Sequence, residues 1–290
     1  MLTLRDGIVE LYKKVATSIP KDVEDALKAA LQAEADPARK DYLAGIMERI
    51  VTARTTSTVV CEDTGFPVFY VRIPKGLGQL HIREVITEAT RTATRKIPLK
   101  PNAVNTITEE NSGDNVGDNF PLIYVEESPE HSLVVDLMLR GGNCENLGRL
   151  YGLPARLEFE EGASRPRGTL QAERDFEGVR QCVLDAVSRA KGLGCPPFTL
   201  GIALGGARDH VTYLSKRQLL RRIGDTNPQS ALAQLERSLM EDLAALRAAS
   251  GAEVPPVIGV KVGSGYRHPD SYFVDVSFSC WANRRGRLIW

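Results

Sequence analysis

The stretch Val59–Pro74, VVCEDTGFPVFYVRIP, decides how this chain is read. Its β-branched and aromatic residues predict a strand from Val59 to Ile73. Inside that run, Cys61, Glu62 and Asp63 crowd the approach to Thr64 and Gly65. A thiol beside two carboxylates at a strand–turn junction has two readings. One is a buried structural cysteine next to a polar turn, since free cysteine is among the most buried residue types. The other is one ligand of a metal site whose remaining ligands lie far along the chain.

Working outward, residues 1 to 56 read as helical. Val23, Ala26, Leu27, Ala30 and Leu31 recur at the i, i+3, i+4 spacing of one helix face, and DYLAGIMERIV repeats the pattern after Pro37. On the other side, HIREVITEATRTATRK predicts a helix, and LIYVEE and SLVVDLML predict strands. Leu153–Arg174, rich in Gly, Pro, Glu and Arg, reads as an exposed loop or insertion. Residues 175 to 191 form a helix with Val179, Cys182, Val183, Ala186 and Val187 on one face. FTLGIAL is a short buried strand, VTYLSKRQLLRRI and SALAQLERSLMEDLAALRAA are helices, and PPVIGVKVG and YFVDVSFSC are strands. No internal repeat stands out. The expected fold is one α+β domain over residues 1–290, with a helical N-terminal lobe over about 1–56 followed by mixed β-sheets flanked by helices.

Composition narrows the classes of function. The 290 residues carry 37 Lys and Arg against 37 Asp and Glu, so the formal charge is zero. No basic stripe is present to attract a phosphate backbone, which argues against nucleic acid as partner. No apolar run reaches the roughly 20 residues needed to span a bilayer, and MLTLRDGIVELYKK has no signal-peptide core, so a cytoplasmic protein away from membranes is expected. Five irregularly spaced cysteines argue for thiols or metal ligands over a disulfide framework.

Those five cysteines divide by context. Cys182 lies between Val179 and Val183 on an apolar helix face and reads as core. Cys61, Cys195 and Cys280 each border a strand beside turn-forming or polar residues, in VVCEDTG, GLGCPPFTLG and FSCWANRRG. Three thiolates from distant loops suit an iron–sulfur cubane with one iron lacking a protein ligand. They suit zinc less well, because structural zinc closes its tetrahedron and favours short C-x-x-C pairs. The spacing leaves both readings, and simple packing, open.

The neighbouring residues add a resemblance. CEDTG, PLKPNAVNTITEENSGDNVGDNFP, RGGNCEN, GCPPFTLGIALGG and CWANRRG stand in the order found in class I, iron–sulfur-dependent fumarate hydratases and the related L-tartrate dehydratases. The chain resembles their alpha subunit, equivalent to the N-terminal domain of single-chain members, over nearly its full length. That resemblance implies a 4Fe-4S cluster on Cys61, Cys195 and Cys280, and reversible addition of water to a small dicarboxylate, of fumarate/malate type first and tartrate next. It implies substrate-pocket or catalytic roles for Glu62, Asp63 and His268, and substrate binding by Lys100, Gly141 and Gly142. It also implies a separate beta subunit of the swivelling-domain type that brings the catalytic base, in an α2β2 assembly built on an alpha–alpha dimer.

The chain departs from the family pattern in four places. Glu62 stands where Gln is usual, Lys100 where Arg is usual, GGNCEN replaces Gly-Gly-Gly-Ser-Glu-Asn, and a Gly-Pro-rich loop is missing around AASGAEVPPV. Lys for Arg removes a bidentate fork. Cys144 in GGNCEN reads as a pocket-wall residue, since a fourth ligand would close the open iron. A catalytically altered relative that keeps the cluster for structure or regulation is the second expectation.

Overall fold

The computed structural model describes residues 3–159, 168–250 and 254–290. The chain divides into two compact units, Met1–Glu24 with Leu31–Gly142 and Ala282–Trp290, and Asp25–Ala30 with Asn143–Trp281. Among the described residues no helix is long and apolar enough to cross a membrane.

The first unit opens with helix α1, Leu4–Thr17, started by a reciprocal cap in which Thr3 Oγ1 accepts from the Asp6 amide at 3.2 Å and Asp6 answers on the Thr3 amide. Along the chain come helix α2, Lys21–Ala33, whose Asp25–Ala30 is counted with the second unit, and helix α3, Pro37–Thr56. Asp36 caps α3, Pro37 enters its first turn, and Ser57 ends it in the left-handed region. Residues 4 to 56 are thus largely helical, but α1 is no separate lobe: it packs on the sheet. That sheet is built from β1, Phe66–Pro74, β2, Leu122–Ser128, β3, Val134–Arg140, and β10, Arg284–Ile289, in the order β10-β3-β1-β2. Helix α4, Gln79–Lys96, is the crossover that makes β1 and β2 parallel. Ile8, Leu11, Tyr12 and Val15 of α1 and Ile82, Ile86, Ala89 and Ala93 of α4 close a core over Phe69, Val71, Val135 and Leu137.

The second unit contains α5, Gly142–Leu147, which begins at the boundary, then β4, Arg149–Gly152, the hairpin of β5, Ala155–Phe159, and β6, Gly168–Ala172, and α6, Phe176–Arg189. Its sheet joins β4 to β7, Phe198–Leu204, β8, Val257–Ser264, and β9, Phe273–Ser279, in the order β4-β9-β7-β8. Helices α7, Arg208–Gln218, and α8, Ser230–Ser250, cross between the parallel strands β7 and β8 and cover them.

Several expectations are corrected here. The strand expected from Val59 begins only at Phe66, because Gly65 at φ +73° turns the chain first. The loop expected over Leu153–Arg174 holds β5 and β6, whose alternating Arg156, Glu158 and Gln171 hid a two-stranded ribbon; residues 160–167 lie outside the described residues. The strand β10 was not expected at all, since RRGRLI reads as polar.

An internal repeat is present. In each sheet the first strand pairs in parallel with the second and antiparallel with the third: β1 with β2 and β3, β7 with β8 and β9. The fourth strand of each is exchanged. β4 follows β3 in the chain yet pairs with β9, and β10 follows β9 yet pairs with β3. The sequence keeps a trace of this, Val135-Asp136 before Gly148-Arg149-Leu150 and Val274-Asp275 before Gly286-Arg287-Leu288.

The second unit buries a charged cluster. Glu236 Oε1 accepts from Arg221 Nη1 at 2.7 Å, Asn227 Nδ2 at 3.1 Å and the Val262 amide at 2.8 Å, and Lys261 Nζ lies 2.9 Å from Asp225 Oδ1. Glu236→Ala removes the buried acceptor shared by Arg221, Asn227 and the Val262 amide, leaving Asp225 as the carboxylate for Arg221 and Lys261, and is expected to cost roughly 3 kcal/mol in denaturant unfolding; a change within the error of the extrapolation would show the cluster to be dispensable.

Asp275 of β9 is buried against α7, bonded by Ser215, by Thr212 at 3.1 Å and by Ser277 at 3.1 Å. Burial raises its pKa above the ordinary 3.8, against the hydroxyl bonds that pull it down. A carboxyl that holds its proton more tightly when folded gives stability that is full below the unfolded pKa and is lost as pH rises through the folded one. Asp275→Asn should therefore gain stability relative to wild type between acid and neutral pH, read as a difference in unfolding free energy across that window. A pH-independent difference would contradict the raised pKa.

Candidate functional site

In the first unit the predicted residues gather where β1 starts, β3 ends and β10 starts. Gly65 N–H donates to Asp63 Oδ1 at 2.8 Å, closing the turn that Cys61 opens. The turn lies hard against β3: a Cβ on Gly65 would stand 2.5 Å from the Arg140 carbonyl oxygen. A Cβ on Gly141 would lie 3.1 Å from Asp63 Oδ2, so the second oxygen of this carboxylate faces a bare backbone. From β10, Arg284 Nη1 donates to the Asp63 carbonyl at 2.7 Å.

Lys100 is tied to the same turn through its backbone. Its N–H donates to Thr64 Oγ1 at 2.9 Å, and its carbonyl accepts from Asn115 Nδ2 at 3.0 Å. Asn102 Nδ2 reaches the Gly65 carbonyl at 2.8 Å, and Asn115 Oδ1 accepts from the Asn102 amide at 2.6 Å. Thr64 and Asn115 are both buried, and Asn115 is held at φ +60°. A fixed backbone therefore carries an exposed ammonium, and Glu62 and Gly142 are exposed beside half-buried Cys61, Asp63 and Gly141. The predicted residues Cys61, Glu62, Asp63, Lys100, Gly141 and Gly142 thus lie in the segments that border one end of this sheet, Lys100 through its backbone bond to Thr64.

In the second unit Cys195 and Cys280 flank the β7/β9 pair at the same end. The register sets Thr199 opposite Ser279, and the Trp281 amide donates to the Cys195 carbonyl at 3.2 Å. Cys195 is exposed and Cys280 buried. Helix α5 brings Cys144 to this end as well. A Cβ on Gly194 would meet Leu147 Cδ1 at 3.1 Å, and Lys216 of α7 pairs with Glu145. Cys182 is elsewhere, on the buried face of α6, with its thiol pushed up to about 12 by burial.

His268 is not at that end. The loop that carries it closes on the opposite end of β7, with Gly265 N–H on Leu204 O and Gly206 N–H on Tyr266 O, both near 3 Å. Seven strand residues separate it from Cys280 within the unit, roughly 20 Å at the usual rise. The imidazole is exposed, and Nδ1 accepts from the Asp270 amide at 3.2 Å. A cleft of about 620 Å³ opens at this end too, lined by Leu204, Gly205, Ser264, Arg267 and Tyr272.

All five cysteines are thiols, not disulfides. Among the described residues no three His, Cys, Asp or Glu side chains gather as a metal site. What the sequence reading missed is the scaffold: Thr64, Asn115 and Arg284. CEDTG, GDNVGDN and CWANRRG were all legible as motifs, but no pattern in them says which members hold the backbone.

A family model described as fumarate hydratase (Fumerase) matches residues 5–288. The Geobacillus stearothermophilus protein named "Putative fumarate hydratase class I" is 38% identical across 98% of this chain, which spans 54% of that protein's length. The protein named "Putative L(+)-tartrate dehydratase subunit alpha" of Methanocaldococcus jannaschii is 30% identical, with 98% of this chain and 96% of that one covered. The "L(+)-tartrate dehydratase subunit alpha" of Escherichia coli (strain K12) is 29% identical, with 99% and 90% covered. With a match from residue 5 to residue 288, the chain belongs to the fumarate hydratase (Fumerase) family.

Proposed function

We propose that the chain is the iron–sulfur-bearing alpha-type chain of a hydro-lyase. It adds or removes water across the carbon–carbon double bond of a small dicarboxylate, fumarate/malate first and tartrate second. The observation that carries this reading is the Cys61–Gly65 turn bonded to the Lys100 segment, which sets a thiol, a carboxylate and a cation around one end of the sheet. Family membership and the names of the relatives support it.

The donor set fits a 4Fe-4S cluster held by Cys61, Cys195 and Cys280. The three are thiols at loop or strand ends, the kind of ligand iron–sulfur centres take, and two share one end of β7 and β9. A buried arginine beside the Cys61 turn lacks a counter-ion, which suits an anionic occupant. When bound, an iron with an open position supplies Lewis acidity toward a substrate oxygen.

The chain's own residues do the rest. Lys100 holds one substrate carboxylate with its ammonium, its backbone fixed by Thr64 and Asn115. Gly141 and Gly142 leave main-chain N–H groups open to a ligand. Asp63, locked through Oδ1, keeps Oδ2 toward Gly141, where it orients a substrate hydroxyl or holds its proton; Glu62 adds a second exposed carboxylate. The residue that takes the proton from substrate carbon is supplied by a separate beta-type chain in an α2β2 assembly. In support, this chain matches most of two proteins named as alpha subunits and 54% of a longer relative. His268, beyond the opposite end of β9 from Cys280, is outside this set.

Serine replacements test the ligand set. After anaerobic reconstitution, Cys61→Ser, Cys195→Ser and Cys280→Ser should each lose bound iron and sulfide, while Cys182→Ser keeps both, its thiol being buried and hard to ionise. Full iron in Cys195→Ser would refute the assignment.

Lys100→Ala, assayed with fumarate, malate and tartrate in the presence of the beta-type chain, should raise KM about ten- to a hundredfold. That corresponds to roughly 1.5–3 kcal/mol for a charged hydrogen bond. The unmixed chain should show no turnover. An unaltered KM removes Lys100 from the site, and full activity of the chain by itself removes the second chain.

A further inference from the structure

Among the described residues Arg284 is the largest fully buried side chain, 1% exposed, at the start of β10 opposite Leu139. Its Nη1 donates to the Asp63 carbonyl at 2.7 Å, and its Nε has no hydrogen-bond partner. Among the described residues no carboxylate stands within ion-pair distance of it. Its neighbours on the strand differ. Arg285 is paired with Asp22 at 2.5 Å, and Arg287 makes a two-pronged pair with Asp136 at 2.7 and 3.0 Å. A guanidinium stripped of water and given no opposite charge is strongly unfavourable, and interiors keep one only where something neutralises it.

We propose that Arg284 is the buried counter-cation of the anionic group held at the Cys61 turn, the iron–sulfur cluster of the reading above, on which this inference rests. A cubane core on three thiolates is net negative, so a fixed positive charge behind the turn stabilises it. An exchangeable dicarboxylate is the other anion at hand, but a side chain 1% exposed is closed to a solute that comes and goes. Lys100, exposed, is the cation for that ligand. Arg284 acts through the turn, as a positioning residue: it holds the Asp63 carbonyl and sets the field at Cys61.

The sign follows. Removing a nearby positive charge makes the cluster harder to reduce and easier to oxidise, whereas the empty chain loses an unpaired buried charge. The full chain as wild type, Arg284→Lys and Arg284→Met should be reconstituted anaerobically. Midpoint potential by electron paramagnetic resonance titration, iron loss in air, and the denaturant midpoint of each cluster-free chain are then measured. The expected result is a more negative potential and several-fold faster iron loss in Arg284→Met, recovery of the potential in Arg284→Lys, and a cluster-free Arg284→Met at least as resistant to denaturant as wild type. Should Arg284→Met not fold, Arg284→Gln removes the charge while keeping a donor for the Asp63 carbonyl. Wild-type potential and iron loss in the neutral variant overturn the counter-cation, whether or not its cluster-free form is destabilised. A wild-type chain that retains no iron overturns the cluster reading and this inference with it.

Discussion

The ladder between β10 and β3 is the constraint on which the rest of the first unit depends. It brings the last residues of the chain to a strand formed about 150 positions earlier, Arg287 against Asp136 and Arg284 against Leu139. β3 is buried along its whole length, so it needs a partner on each side. β1 supplies one and β10 the other. Arg284 reaches the Asp63 carbonyl only because β10 is in that register. A slip by one residue would turn its side chain to the opposite face and uncouple Arg287 from Asp136. The Cys61 turn is thus held by Gly65 against β3 and by an arginine from β10.

The exchange of fourth strands shows how one architecture was put to two uses. Asp136 and Asp275 hold matching places on the third strand of each sheet, after a valine in both. In the first unit the exchanged strand sets Arg287 beside Asp136, and the carboxylate is paired. In the second, β4 sets Arg149 opposite Val276 and Leu150 opposite Asp275, one residue out of step. With no arginine opposite, Asp275 is satisfied by hydroxyls of α7 and by Ser277, and burial raises its pKa. The register difference matches the one-residue difference in spacing between the Val-Asp and Gly-Arg-Leu segments.

The sequence made long, periodic elements legible. FTLGIAL is β7 residue for residue, and the helix expected over 175–191 is α6 with Asp175 as its cap. Legibility failed where tertiary pairing overrode local pattern. RRGRLI forms a strand because β3 lacks a partner and because Asp22 and Asp136 neutralise Arg285 and Arg287. VVCEDTG resembled strand up to its turn, but Gly65 at positive φ, with Asp63 folded onto its amide, stops the strand at Phe66. At the site, Cys61 stood out by its strand–turn context and Asp63, Lys100 and Gly141 through the family resemblance, and they lie around one end of the first unit's sheet. His268 could not be placed, since nothing in RHPD says at which end of β9 its loop closes.

Two basic residues with opposite surroundings are bonded to the Cys61–Gly65 turn, Lys100 through its backbone and Arg284 through its side chain, and the contrast underlies the different tasks proposed for them. Lys100 has a backbone fixed on both sides and an exposed ammonium, so it stays hydrated until a ligand arrives. Under the proposed function, binding there exchanges water for carboxylate, which suits a solute that must also leave. Arg284 has no such freedom: it is enclosed, donates to a main-chain oxygen, and carries an Nε that finds no acceptor. A charge in that state suits an occupant installed once and kept. In the proposed reading, Lys100, where the family resemblance implies Arg, makes the exchangeable contact a point charge and not a fork. The buried Arg284 on the Asp63 carbonyl is a separate charge, so in that reading substrate preference can drift while the surroundings of the proposed cluster stay fixed.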